Sequence, residues 1–168
     1  MIVLGIDPGT ATTGYGLVNE TPTGGLEAIA YGAIRTPPNL EMHRRLLLIY
    51  QQLKEILLLH HPSCGAVEKL YFQTNVTTAL AVGQARGVIL LALAEADLAV
   101  AEYSPLEVKQ AISGYGGADK HQVQEMTRVL LNLEKIPRPD DAADALAIAI
   151  CHLSHNRFNS LVAETKDP

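Results

Sequence analysis

The chain has no surplus of positive charge, few cysteines and no extended hydrophobic run, and each shortage argues against a class of function. Its two cysteines, Cys64 and Cys151, lack CxxC spacing and no secretion signal accompanies them, so both read as reduced thiols of a cytosolic protein, buried in its core. The most apolar stretch, Val88 to Leu93, soon meets Glu95 and Asp97, and the expectation is that nothing here crosses a bilayer. The opening MIVLGIDPGT has no basic region and turns polar after six residues, unlike a signal peptide, which predicts a soluble, cytoplasmic chain. No internal repeat or low-complexity segment is evident. Lys and Arg number 13 against 18 Asp and Glu, so the net charge of -5 lacks the basic footprint common in nucleic-acid binders. That objection weakens if several of the acids are metal ligands, because the local field matters more than the total. At 168 residues and 48% hydrophobic content, one well-filled domain is expected, and the two full domains of an actin-like kinase are excluded.

Against that background a few acids stand out: Asp7 in GIDPGT, Glu68 in AVEKLYF, and Asp141 with Asp144 in DDAADALAIAI. Each falls where a strand is predicted to end or a helix to begin. Converging carboxylates repel one another and cost desolvation, so a fold that collects them usually holds a hard divalent cation. Such a cluster suits two magnesium ions about 4 Å apart, the arrangement that hydrolyses phosphodiesters.

Periodicity gives the frame. Ile2–Ile6, Thr13–Asn19 and Leu26–Ile34 read as an antiparallel meander, followed by a helix over Leu40–His60 that Pro62 stops. Gly65–Leu70, Asn75–Ala96 and Leu98–Tyr103 have a strand, helix, strand rhythm that implies parallel pairing. Ser104-Pro105-Leu106-Glu107 is a capping box opening a short helix to Ile112. After Gly114-Tyr115-Gly116-Gly117, helices are predicted over Asp119–Leu133 and Asp140–Asn156, the second with Asp140 as its N-cap. The predicted fold is α/β, a mixed five-stranded sheet of three antiparallel then two parallel strands flanked by helices. Residues 1–157 form the domain and 158–168 a short tail. Asp7 and Glu68 would meet at one sheet edge, and Asp141 and Asp144, three apart on a helix, point the same way.

The segments GIDPGTATTGYGLV, VEKLYF, LAVGQARGV, GYGGADKHQV and DDAADALAIAI, in this order and spacing, resemble the RuvC family of Holliday-junction resolvases, with its RNase H-like fold. The resemblance spans Ile2 to about His155 and implies that Asp7, Glu68, Asp141 and Asp144 are the catalytic, metal-binding residues. It implies two Mg2+ per active site, with Mn2+ as a substitute. Asp7 would bridge both ions, Glu68 and Asp144 complete the coordination, and Asp141 hold one ion or position the attacking water. The products would carry 5'-phosphate and 3'-hydroxyl ends. It further implies a homodimer that cuts symmetrically related strands of a four-way junction, and a partnership with the RuvA and RuvB branch-migration proteins. Ala81, Gly83, Ala85 and Gly87 are the small residues expected at the dimer interface. Lys109 and Lys120 are implied as DNA contacts, and Tyr71, with Phe72 beside it, as a platform on which junction bases stack. The acidic tail VAETKDP departs from the basic tails of some relatives, and Lys69 and His121 receive no role.

Each feature has a plainer reading. Asp7 alone resembles the phosphate-binding turn of actin-like ATPases, Glu68 alone a solvated strand end, and Asp141 with Asp144 ordinary first-turn acids. His152 and His155 read as a solvated helix C-terminus rather than a metal site. Beside the nuclease reading stand a catalytically silent junction-binding module and an RNase H-like enzyme acting on RNA.

Overall fold

The computed structural model describes residues 1–69 and 76–164, the side chains of 76, 77 and 160–164 excepted. The element order is β1 (Ile2–Asp7), β2 (Thr12–Glu20), β3 (Leu26–Arg35), α1 (Met42–His60), β4 (Cys64–Glu68), α2 (Val76–Glu95), β5 (Ala99–Tyr103), α3 (Pro105–Ser113), α4 (Lys120–Leu130) and α5 (Asp140–Glu164). The strands form one sheet in the order β3-β2-β1-β4-β5. The first three are antiparallel, while β4 pairs parallel with both β1 and β5, as the sequence pattern predicts.

Strand alternation sorts the core into two layers. Leu4, Ile6, Leu17 and Val67 face α1 and α2, where they meet Ile49, Leu53, Ile89 and Leu93. Val3, Val18, Ala66 and Tyr103 face the other way, onto α5 and its run Leu146–Cys151. By the same period Asp7 and Glu68 lie on the α5 face. Glycine makes this second layer unusually close. A Cβ on Gly5 would come within 2.0 Å of the Ala145 carbonyl oxygen, and one on Gly14 within 2.0 Å of the Asp141 carbonyl oxygen. Only bare backbone lets α5 rest directly on β1 and β2.

Several expectations are corrected. Asp140 lies inside α5 rather than capping it: the Pro139 carbonyl accepts from the amides of Ala142 and Ala143, and the Asp140 carboxylate turns to Arg138 and Lys120. The last helix continues past Asn156 to Glu164. His152 therefore sits within α5 instead of at a solvated end, and it is 9% exposed. It accepts or donates at Tyr103 Oη, 2.9 Å from Nδ1, and at Cys64 Sγ, 3.3 Å from Nε2. Both cysteines are buried and free. Along α2, Thr78–Glu95 reaches by length and composition the apolarity of a membrane span, with Val88–Leu93 as its most apolar part. Of the small residues assigned to a dimer contact, Ala85 is buried in the chain's own core, against the β1 and β4 layer.

Candidate active site

The register of β1 against β4 places Ile6 opposite Val67, so the next residues, Asp7 and Glu68, end adjacent parallel strands about 4.8 Å apart. Asp7 also pairs with Gly14 on β2, the position where the Asp141 backbone descends onto the sheet. Two glycine-permitted contacts thus bring the first turn of α5, with Asp141 and Asp144, over the strand ends that carry Asp7 and Glu68.

The electrostatics follow from this crowding. Burial raises the Asp7 carboxyl, and Glu68, Asp144 and Asp141 raise it further, to about 8. Glu68 is pushed up to about 6, by burial first and then by Asp144. Asp144 is also raised, again mainly by burial, with Lys120 opposing. The cation that relieves this repulsion within the protein is Lys120, the first residue of α4. Asp119 caps that helix by accepting from the Gln122 amide at 2.9 Å, which fixes where Lys120 emerges. Its Nζ stands 3.0 Å from Asp144 Oδ2 and 3.8 Å from Asp140 Oδ2. Burial pulls the ammonium down, but the hydrogen bond and charge of Asp144, with Asp140 and Asp141, raise it overall.

Among the described residues no three acid, histidine or cysteine side chains stand close enough to form a ready-made cation cage. The donor set nevertheless fits a hard divalent ion: the converging groups are all carboxylates, Asp7 and Glu68 are pushed up by burial and by their acidic neighbours, and a lysine ammonium already pairs with Asp144.

Beside Glu68 and Asp144 a cleft of about 290 Å³ opens between α3, α4 and α5, floored by Val108, Val123 and Ile148 and bordered by Lys109 and Lys120. Lys109 makes no ion pair among the described residues. A larger groove of about 370 Å³, lined by Leu57, Pro62, Ala92 and Leu98, lies at the opposite end of the parallel strands and contains none of the four acids. Tyr71 and Phe72 lie outside the described residues. Lys69 follows Glu68 directly, and its Nζ is 3.8 Å from Glu107 Oε2, the carboxylate that also closes the Ser104 capping box. His121 is exposed. Sequence reasoning did not single out Gly5 and Gly14. The signal was there, in glycines repeating on one face of otherwise apolar strands.

The fold is RNase H-like. A Thermus thermophilus RuvC structure superposes with a TM-score of 0.88 at 37% identity, covering 95% of this chain and 97% of that one. A second, described as T. thermophilus RuvC in complex with Holliday junction substrate, gives a TM-score of 0.86 at 34% identity over 94% and 96% of the two chains. Among curated relatives, the crossover junction endodeoxyribonuclease RuvC of Heliobacterium modesticaldum is 60% identical over 90% of this chain and 93% of its own length. That of Syntrophomonas wolfei is 54% identical over 96% and 94%. With the family profile described as "Crossover junction endodeoxyribonuclease RuvC" matching residues 3–152, the chain belongs to the RuvC family of crossover junction endodeoxyribonucleases.

Proposed function

We propose that this chain resolves four-way DNA junctions formed in homologous recombination and repair, by paired, symmetric, metal-dependent nicks. The observation that supports this best is the convergence of Asp7, Glu68 and Asp144 into one electrostatically coupled cluster, on a chain of this family. Asp7, Glu68, Asp141 and Asp144 would hold divalent cations, two Mg2+ in each site, with Mn2+ as a substitute. Once bound, the metal supplies Lewis-acid chemistry, activating water and stabilising the leaving oxygen of the phosphodiester.

The chain's own residues do the rest. Asp7, which feels the charge of all three other acids, would be the ligand at the centre of the cluster. Asp141 would hold one ion or position the attacking water. Lys109 and Lys120 border the cleft beside the acids and receive the phosphates that flank the reacting one. Tyr71 and Phe72, just beyond Glu68 in sequence, stack on bases at the junction centre.

A two-fold junction calls for a two-fold enzyme. On α2 the exposed residues Leu80, Gln84, Gly87 and Leu91 recur at helical spacing, with Leu80 64% and Leu91 57% exposed, and a Cβ on Gly87 would meet nothing. This stripe is the proposed homodimer contact, and covering it accounts for the apolarity of Thr78–Glu95 without a membrane. Residues 1–157 act as the catalytic domain, with 158–168 dispensable for chemistry. The setting is the cytoplasm, with the RuvA and RuvB branch-migration proteins as partners.

The test is strand nicking of a labelled four-way junction beside linear duplex, with magnesium and with chelator. Paired magnesium-dependent nicks in the junction alone are expected. Junction binding with no nicking in any divalent metal would replace this reading with the silent binding module.

A further inference from the structure

Seven of the 13 Lys and Arg residues of this acidic chain are spoken for. Lys54, Lys69, Arg86, Lys120, Arg128, Arg138 and Arg157 each pair with a carboxylate. Among the described residues, Arg35, Arg44, Arg45, Lys109 and Lys135 do not. Lys109 borders the cleft beside the acids. Arg35, Arg44 and Arg45 flank the point on the other side where β3 ends and α1 begins, Arg35 on the α5 face of the sheet and the other two on the α1 face, with Arg45 reaching Thr36, the neighbour of Arg35.

That place is the catalytic edge of the sheet. Arg35 pairs with Thr12, two residues before Gly14, which itself pairs with Asp7, so by alternation Arg35 belongs to the face that carries Asp7. Two strand spacings of about 4.8 Å and two residues of about 3.3 Å put its backbone roughly 12 Å from that of Asp7. Arg44 and Arg45 open α1, whose first turn contains no acid; Glu41 just before it is exposed and engaged with His43 at 3.5 Å. Arg45 is held in position. Its Nε donates to Thr36 Oγ1 at 2.7 Å, and Thr36 Oγ1 donates to the Thr10 carbonyl at 2.5 Å, in the loop that follows Asp7. The remaining guanidinium donors of Arg45 have no protein partner among the described residues.

Arginines left without carboxylate partners on both faces of the acid-bearing end of the sheet, in a chain of net charge -5, are explained by a polyanion, and a guanidinium fork matches a phosphate. We infer that Arg35, Arg44 and Arg45 form a second phosphate-binding site, which grips the backbone of a junction arm on the side of the acids opposite Lys109 and Lys120. The site rests on the nuclease reading and adds to it a direction: the cut strand runs across the carboxylates from the lysines to the arginines. The arginines meet phosphates a few nucleotides from the cut.

The test measures junction binding as a function of salt, in calcium or chelator, for the full chain and for Arg35→Gln with Arg44→Gln, two exposed positions whose change leaves the core untouched. The plot of log affinity against log salt should flatten by roughly 0.9 for each phosphate that the double variant no longer neutralises, and affinity near 0.1 M salt should fall about tenfold or more. Lys54→Gln, which removes a charge at the far end of the sheet, should leave the slope unchanged. Methylphosphonates placed one at a time within a few nucleotides of the cut should at one position weaken the unaltered protein and have little effect on the double variant. An unaltered protein that nicks junctions, beside a double variant with the same slope and affinity, overturns the arginine site alone. If the unaltered protein neither binds nor nicks junctions, the nuclease reading and the arginine site fall together.

Discussion

The Lys120 ammonium stands 3.0 Å from Asp144 Oδ2 and 3.8 Å from Asp140 Oδ2, so a residue expected to meet DNA is also the counter-ion of the acid cluster. Its charge lowers the proton affinity of Asp7, Glu68 and Asp144. Lys120→Gln removes that influence. All three acids then hold protons to higher pH, and at limiting magnesium the midpoint of the nicking rate against pH moves upward from that of the unaltered protein. A midpoint that stays in place contradicts the counter-ion role.

Stability in the absence of metal should depend on pH through Asp7. Its folded pKa of about 8 lies above the ordinary value of 3.8, so the folded chain binds a proton that the unfolded chain releases between these limits. Stability from this group is therefore lost as pH rises from about 4 to about 8, by an amount on the order of a few kcal/mol. Thermal unfolding in chelator should show a falling Tm across that window, restored by magnesium. Asp7→Asn should unfold later than the unaltered protein at pH 8, because the repulsion is gone.

Gly14→Ala tests how the cluster is assembled. The added methyl would lie within 2.0 Å of the Asp141 carbonyl oxygen, which the backbone must relieve by lifting the start of α5. Overpacking of this kind costs about 1 to 3 kcal/mol. Displacing catalytic groups by about 1 Å costs on the order of a hundredfold in rate. Nicking should fall by about that factor while junction affinity changes little, as read by single-turnover kinetics beside a binding titration.

The Tyr103, His152 and Cys64 network on the same sheet face carries stability rather than chemistry. Burial, with a smaller effect of His155, lowers the His152 pKa below 6.5. The unfolded chain therefore takes up a proton that the folded chain resists, and this contribution is lost as pH falls below about 6.5. Tyr103→Phe leaves His152 Nδ1 without its partner at 2.9 Å and should cost about 1 to 3 kcal/mol by denaturant unfolding, with nicking unchanged.

Much of this was legible in the chain. The meander, the parallel pair and the capping box at Ser104 all follow from local patterns of period two, period 3.6 and turn residues, and the structure has them. What local pattern missed is tertiary. Asp140 looks like an N-cap in sequence, but Arg138 and Lys120 draw its carboxylate elsewhere. His152 looks like a helix end when the helix is read as stopping at Asn156, yet α5 runs on to Glu164 and His152 is buried against Cys64 of β4 and Tyr103 of β5. The acids stand out in the sequence, and the structure brings Asp7, Glu68 and Asp144 together. The pairing of Lys120 with Asp144, and the glycines that admit α5 to the sheet, depend on residues far apart in the chain and needed the fold.

The most direct measurement of the central claim compares the unaltered protein with Asp7→Asn and Glu68→Gln on a labelled four-way junction, in magnesium, scoring binding and nicking separately. The account predicts that both variants bind the junction at least as well as the unaltered chain and fail to nick it. Nicking by either variant at the unaltered rate would contradict it.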